Sequence, residues 1–255
     1  MNRRTIILLI FFIVFAVVLI LNGTLFLVDS IEFVDYKTGQ SYQSELYAAE
    51  DLITASKLSR GMNIFTVSEA KATESLTAAF PKLKVVNIER QFPNKIVIYL
   101  FERYPMYAVE SGDVYIIVDR EGRILETVES LPDNITLVEG LAIDYETTGI
   151  KLKTKDYSAD RLIALGQAFE LYDYIDSNFT QIISRIEVMG YSFSLYTKTG
   201  VELRLNVASN LNAKIREILS WYNSDDAEQK RYSGTLTVYD DGEGGYLKPV
   251  YTATK

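Results

Sequence analysis

The sequence has no cysteine, no histidine, one tryptophan and five prolines in 255 residues. Without thiolates or imidazoles, zinc and iron–sulfur sites built on those ligands are excluded. So are Ser-His-Asp and Cys-His nucleophiles. A chain without thiols fits a compartment outside the cytoplasm, where a free thiol would be a liability. Basic charge is also scarce: 26 Lys and Arg stand against 34 Asp and Glu, a net charge of −8 with a pI near 4.8. Phosphate backbones need clustered Lys and Arg, so no nucleic acid partner is expected. Nor is the chain expected to lie flat on anionic lipid. Phosphate loops are missing too. Asp241-Gly242-Glu243-Gly244-Gly245 lacks the Lys-Ser/Thr that would follow in one, and reads as a hairpin turn.

One long apolar run is present. Every residue from Ile6 to Leu21 is apolar, and no charge appears until Asp29. As a helix, Thr5 to Val28 would span about 36 Å, against a hydrocarbon core of about 30 Å. A cleaved signal would need a shorter core and a small-x-small site, and no Ala-x-Ala follows. Arg3 and Arg4 precede the run, and Asp29, Glu32 and Asp35 follow it. That order places the N-terminus in the cytoplasm and the bulk outside. Residues 1–28 are therefore expected to be a short cytoplasmic tail and a single transmembrane helix, with Ile6, Leu21 and Val28 marking the anchor in a lipid bilayer.

Beyond it, Ile31 to Val34 reads as a short strand. Glu45 to Ser59 carries Leu46, Ala49, Ile53 and Ser56 on one side and reads as a helix, with Gly61 as its C-cap. Ser68 caps a second helix whose stripe is Ala72, Leu76, Ala79 and Phe80. Val85 to Arg90 and Ile96 to Phe101 read as two strands around a Pro93-Asn94 turn, the second buried on both faces. Arg90 is expected to pair with Glu102.

From Met106 the texture changes to short strands at 106–109, 114–118, 123–125 and 136–138, with Asp119 to Gly122 as a turn. Lys151 to Asp156 reads as a solvated charged stretch. A helix over Asp160 to Ser177 follows, with Leu162, Leu165, Phe169 and Tyr172 on its stripe. Three strands then carry Ile182, Ser184, Ile186 and Val188; Tyr191, Phe193 and Leu195; and Val201, Leu203, Leu205 and Val207. Leu211, Ile215, Ile218, Leu219 and Tyr222 mark a last helix, capped by Ser209 or Asn210. Thr235 to Tyr239 closes the pattern as a strand expected at a sheet edge, either open to a partner or covered by its own tail, the extended piece from Tyr246 to Tyr251.

Carboxylates are the remaining acid–base groups. Asp225-Asp226, Asp240-Asp241-x-Glu243 and Asp173 with Asp176 offer pairs of the kind used in glycoside hydrolysis. Each lies in a polar loop or on the outer side of a helix, where nothing would raise a general-acid pKa. Solvated surface is the simpler reading. The acidic turn also departs from EF-hand spacing.

The order of signals from Gly61 to Pro105 resembles the POTRA domain of the bacterial division proteins FtsQ and DivIB. It is carried by Gly61, Asn63, Ile64 and Phe65, by Phe80-Pro81, by Ile88, Arg90, Phe92, Pro93 and Asn94, and by Glu102, Arg103 and Pro105. Tyr115 to Asp119 with Gly122, and Glu139-Gly140, resemble segments of the β domain that follows in that family. The resemblance implies an α+β fold: an N-terminal transmembrane helix, a POTRA domain at 29–104 (three strands, two helices), and a mixed β domain at 105–255 with helices on one side. It implies a non-enzymatic scaffold at the division septum in the plasma membrane, without cofactor or metal. The partners it implies are FtsL-like and FtsB/DivIC-like proteins and, through them, the septal peptidoglycan synthase. In the family the closing strand and following turn accept a partner strand. Here that stretch gives Leu236, Thr237, Val238, Tyr239, Asp241, Gly242 and Tyr246 as partner-binding residues. The rival expectation is a membrane-anchored cell-wall hydrolase or polysaccharide-binding module with two carboxylates in a cleft. A POTRA module of secretion or outer-membrane assembly fits less well, since those come in tandem before a barrel.

Overall fold

The periodic segments gather into two units, Met1–Arg103 and Tyr104–Lys255. The computed structural model describes residues 2–44, 46–145, 147–173, 182–205, 210–224, 233–239 and 248–253, without the side chains of 18–22, 145, 169–173 and 248.

The first unit opens with helix α1 (Arg3–Thr24). At 22 residues it is about 33 Å long. Its apolar side chains from Ile6 to Val17 are exposed around the whole circumference. Among the described residues no helix is long and apolar enough to cross a membrane. The side chains of 18–22, which would complete the run, fall outside them.

Strand β1 (Ser30–Asp35), helix α2 (Ala49–Ser56), a 3-10 turn (Ile64–Thr66), helix α3 (Glu69–Ala79) and strands β2 (Leu83–Gln91) and β3 (Lys95–Glu102) follow. β3 is the middle strand of three, parallel to β1 and antiparallel to β2. Ile96, Ile98 and Leu100 share one face of β3 and bury with Leu52 of α2 and Ala72 and Leu76 of α3. This is the expected three-stranded sheet with two helices. On the other face of β3, Val97 is buried while Tyr99 and Phe101 are only half-buried.

Several local expectations are corrected. α2 has eight residues, not fifteen, and ends at Lys57 in the left-handed region (φ 57°). Its buried face is therefore Leu52 and Ser56, with Ile53 half-buried, and Leu46 is 66 % exposed. Gly61 is not a cap. Its φ of +83° turns the chain so that its N–H donates to Val28 O at 2.8 Å. Asn63 Oδ1 accepts from Phe65 N at 2.9 Å and starts the 3-10 turn, and Ser68 caps α3 as expected. Arg90 pairs with Glu69 at 2.9 Å, not with Glu102. The β2–β3 register explains it. Leu83 lies opposite Glu102 and Arg90 opposite Ile96, so Arg90 sits about 23 Å along the strand from Glu102.

Among the described residues the second unit holds a nine-stranded mixed sheet, a small two-stranded pair and two helices. The large sheet's strands are β4 (Pro105–Ser111), β5 (Val114–Asp119), β6 (Ile124–Val128), β7 (Thr136–Glu139), β10 (Ile183–Met189), β11 (Ser192–Thr197), β12 (Glu202–Leu205), β13 (Thr235–Tyr239) and β14 (Lys248–Thr252). In space they run β14-β13-β12-β11-β10-β7-β4-β5-β6. β8 (Ile143–Tyr145) and β9 (Lys153–Thr154) form a small separate pair. Helices α4 (Ser158–Asp173) and α5 (Leu211–Tyr222) cover one face. Leu162, Leu165, Ile215, Ile218 and Leu219 bury there with Phe193, Leu195, Leu203, Leu205, Leu236 and Val238. The chain is thus α+β.

Here too the structure corrects the sequence reading. Lys151 to Asp156 is not simply solvated: Leu152 is 2 % exposed in the core. Thr154 Oγ1 accepts from Ala159 N at 3.0 Å, and Asp156 Oδ1 accepts from Ser158 N at 3.1 Å, so the stretch starts α4. The hydrogen bond from the Ser158 hydroxyl lowers the Asp156 pKa. A register shift between Ile183 and Arg185 puts Ile183, not Ile182 or Ser184, in the core beside Ile186 and Val188. Tyr191 is 73 % exposed in the β10–β11 turn rather than inward. Asn210 holds the N-cap position of α5 in the left-handed region, without a side-chain cap bond. Gly140 has a packing reason: at φ +84° a side chain there would run into the Val188 carbonyl.

Candidate functional site: the open end of the large sheet

Thr235 to Tyr239 forms β13 with the expected bounds, but it is not the sheet edge. β12 lies parallel on one side and β14 antiparallel on the other, with Leu236 opposite Tyr251 and Tyr239 opposite Lys248. The chain's own tail provides the last strand. Period two splits the predicted site residues between two faces. Leu236 and Val238 are fully buried beneath α5, Thr237 is half-buried on the other face, and Tyr239 is 48 % exposed. Asp241, Gly242 and Tyr246 lie outside the described residues.

β14 is clamped in place. The Tyr251 ring stacks on Trp221 of α5 at 5.4 Å, and its hydroxyl donates to Ser233 O. Beyond β14 no further strand pairs among the described residues. Val250 on it is 40 % exposed. Pro249 brings no N–H to the ladder, as suits an edge strand. The opposite end of the sheet is different. There Ile124 N donates to Ile150 O at 2.9 Å and Gly149 N to Ile124 O at 2.8 Å, so β6 is covered by its own loop. The three-stranded sheet ends in β2, whose Lys84, Glu89 and Arg90 discourage pairing.

The sheet face opposite the helices carries a polar ladder that the sequence reading missed. Arg185 bonds Glu139 at 2.9 Å and stacks over Tyr196 at 3.9 Å. Tyr196 donates to Glu187 at 3.0 Å. Glu202 Oε1 accepts from Ser194 and from Arg204, and Oε2 accepts from Thr235 of β13. The signal was present: Arg185 and Glu187 alternate with Ile186 and Val188, and Glu202 and Arg204 with Leu203 and Leu205. Burial would raise the Glu202 pKa, yet its bonds to Arg204, Ser194 and Thr235 hold it below the ordinary carboxylate value. Burial and the bond to Glu187 raise Tyr196.

Glu202→Ala leaves buried Ser194 without its acceptor and should destabilise the second unit by about 1–3 kcal/mol. A urea titration followed through Trp221, the chain's sole tryptophan, reads this. A folded pKa below the unfolded one means the stabilisation is present above the ordinary carboxylate range. It is lost as pH falls through the lowered value. The gap between Glu202→Ala and the parent should therefore narrow in acid, the protonated carboxyl still accepting from Ser194.

In the first unit, Glu102 Oε1 accepts from Tyr42 at 2.9 Å and Ser44 at 2.6 Å. Burial, with this bond, holds the Tyr42 phenol protonated well above its usual range. The role of Glu102 is to fasten the loop before α2. Beside it lies a cavity of about 230 Å³ lined by Phe33, Tyr42, Ser44, Tyr47 and Leu52.

Of the acidic pairs, Asp176, Asp225, Asp226, Asp240, Asp241 and Glu243 lie outside the described residues, as does the Asp173 side chain. Among the described residues no cluster of three acidic groups is arranged to hold a metal.

Residues 44–103 match the family profile of the POTRA domain, FtsQ-type. The cell division protein DivIB of Clostridium botulinum is 26 % identical over 217 residues, covering 82 % of this chain and 81 % of that protein. DivIB of Clostridium acetobutylicum is 27 % identical over 110 residues, 43 % of this chain and 44 % of the relative's length. The cell division protein FtsQ of Myxococcus fulvus is 26 % identical over 161 residues, 61 % of this chain and 52 % of the relative. The solved extracytoplasmic domain of DivIB from Geobacillus stearothermophilus overlaps at a TM-score of 0.34 and 12 % identity, over 50 % of this chain and 98 % of that one.

Proposed function

We propose that this chain, a relative of the DivIB and FtsQ cell division proteins with an FtsQ-type POTRA domain, is a non-enzymatic, membrane-anchored divisome scaffold. It binds FtsL-like and FtsB/DivIC-like proteins by strand addition and, through them, helps control the septal peptidoglycan synthase. α1 anchors it in the plasma membrane with its N-terminus in the cytoplasm; residues 29–104 and 105–255 work outside, at the septum. Support for the anchor comes from the all-round apolar surface of α1 and from the charges flanking the run.

The observation that carries the partner reading is the unpaired outer edge of β14 among the described residues. An edge offers a row of N–H and C=O groups that must be blunted or used. A partner strand would gain about 0.5–1.5 kcal/mol per main-chain bond. Tyr239, half-exposed opposite Lys248, stands beside that edge as an aromatic anchor. The test is capture of the organism's FtsL-like and FtsB/DivIC-like ectodomains by the full chain. Tyr239→Ala should weaken capture about tenfold, or about 1.4 kcal/mol. Capture unaffected by Tyr239→Ala contradicts the assignment and moves the search to the POTRA unit.

A further inference from the structure

We propose that Phe26, Phe65 and Phe92 form an apolar foot that seats the first unit in the interfacial layer of the bilayer. The inference rests on the anchor reading of α1 and goes beyond it. The three rings come from separate segments: the link after α1, the 3-10 turn and the β2–β3 turn. Ring centroids stand 5.0 Å apart for Phe26 and Phe65, 5.4 Å for Phe65 and Phe92, and 6.4 Å for Phe26 and Phe92. Phe65 is 52 % and Phe92 58 % exposed, and Leu25 beside them 45 %. A cluster of large apolar side chains kept on a surface calls for a covering phase.

The tether identifies that phase. Phe26 lies two residues beyond Thr24, the end of α1, which is about 7 Å of extended chain at most. Each interfacial layer is about 5–8 Å deep. If α1 spans the bilayer, Phe26 cannot leave the interface, and the other two rings lie against it. The joint is tied by backbone bonds: Ile64 N to Phe26 O at 2.9 Å, Val28 N to Met62 O at 2.8 Å, and Asp29 N to Asn94 O at 2.8 Å. Two cations near the β2–β3 turn are paired, Lys95 with Glu32 and Arg90 with Glu69. The contact is therefore apolar and does not require anionic lipid. It fixes the sheet's direction. β1 leaves the foot at Ser30 and carries Tyr36 about 20 Å away from it.

The test uses the full chain with Trp221→Phe, reconstituted in dioleoylphosphatidylcholine vesicles with a fraction of acyl-brominated lipid. Single reporters are placed by Phe12→Trp, Phe65→Trp, Phe92→Trp and Tyr36→Trp. The first three should lose about half their emission to the bromines, while the Tyr36→Trp reporter should lose almost none. Quenching at Phe12→Trp with none at Phe65→Trp and Phe92→Trp overturns the foot and leaves the anchor standing. No quenching at Phe12→Trp overturns the anchor, and the foot with it.

Discussion

Val238→Asp is expected to unfold the C-terminal unit. Val238 is fully buried in the large core, on the face that carries Leu236 and Leu205 and lies beneath α5. Burying a valine contributes about 1.5–3 kcal/mol. An unpaired carboxylate in the same place adds several kcal/mol of desolvation cost. The sum approaches the whole stability of a domain, about 5–15 kcal/mol. Trp221 reports the outcome cleanly, since it is the only tryptophan and belongs to this unit. Its emission should move to that of a solvated indole in buffer without denaturant. Thr237→Asp, one residue away on the other face and next to Arg204 across the ladder, should change stability by less than about 1 kcal/mol. Equal effects at 237 and 238 would mean that the strand does not separate a core face from a polar one.

Gly234→Val is expected to dislodge β14 while the rest of the sheet stays folded. Gly234 turns the chain into β13 at φ +108°, which a β-branched residue adopts only under strain. A Cβ there would stand 2.6 Å from the Thr252 carbonyl oxygen and equally close to the Tyr251 ring. The shorter route to relief is for the last strand to move. The Trp221–Tyr251 stack then opens, and the proposed docking edge loses its shape. Partner capture should fall at least tenfold (about 1.4 kcal/mol or more), while the unit, unlike that of Val238→Asp, still unfolds cooperatively in urea. Full capture with the stack lost, read from Trp221, would separate the partner site from β14.

The POTRA unit was legible because its signals are local. A 3.6 period between Ser68 and Phe80 and a tight Pro93-Asn94 turn each act within a dozen residues. What failed there was phase and pairing. α2 begins at Ala49, so Leu46 and Ala49 stay exposed and Leu52 turns inward, while Ser56 is buried as expected. Arg90 found Glu69 because the strand register carries it far from Glu102. In the second unit the strands were readable one by one, but their order was not. Nothing local says that β13 runs parallel to β12, or that Lys248–Thr252 returns antiparallel to close the sheet. That return is why Thr235 to Tyr239 looked like an edge and is an inner strand. Between Glu126 and Asp156 the strand at 136–138 was readable, but its pairing and the rest of the stretch were not. β7 pairs in parallel with both β4 and β10, and a buried Leu152 among lysines carries no period of its own.

Hydrogen exchange along β14, in the presence and absence of the FtsB/DivIC-like ectodomain, tests the central claim most directly. If the partner adds a strand, amides within Lys248 to Thr252 that face outward should slow at least tenfold on binding (about 1.4 kcal/mol of protection). Those of β6, at the covered end of the sheet, should not change. Saturating partner with unchanged exchange in β14 would contradict the account.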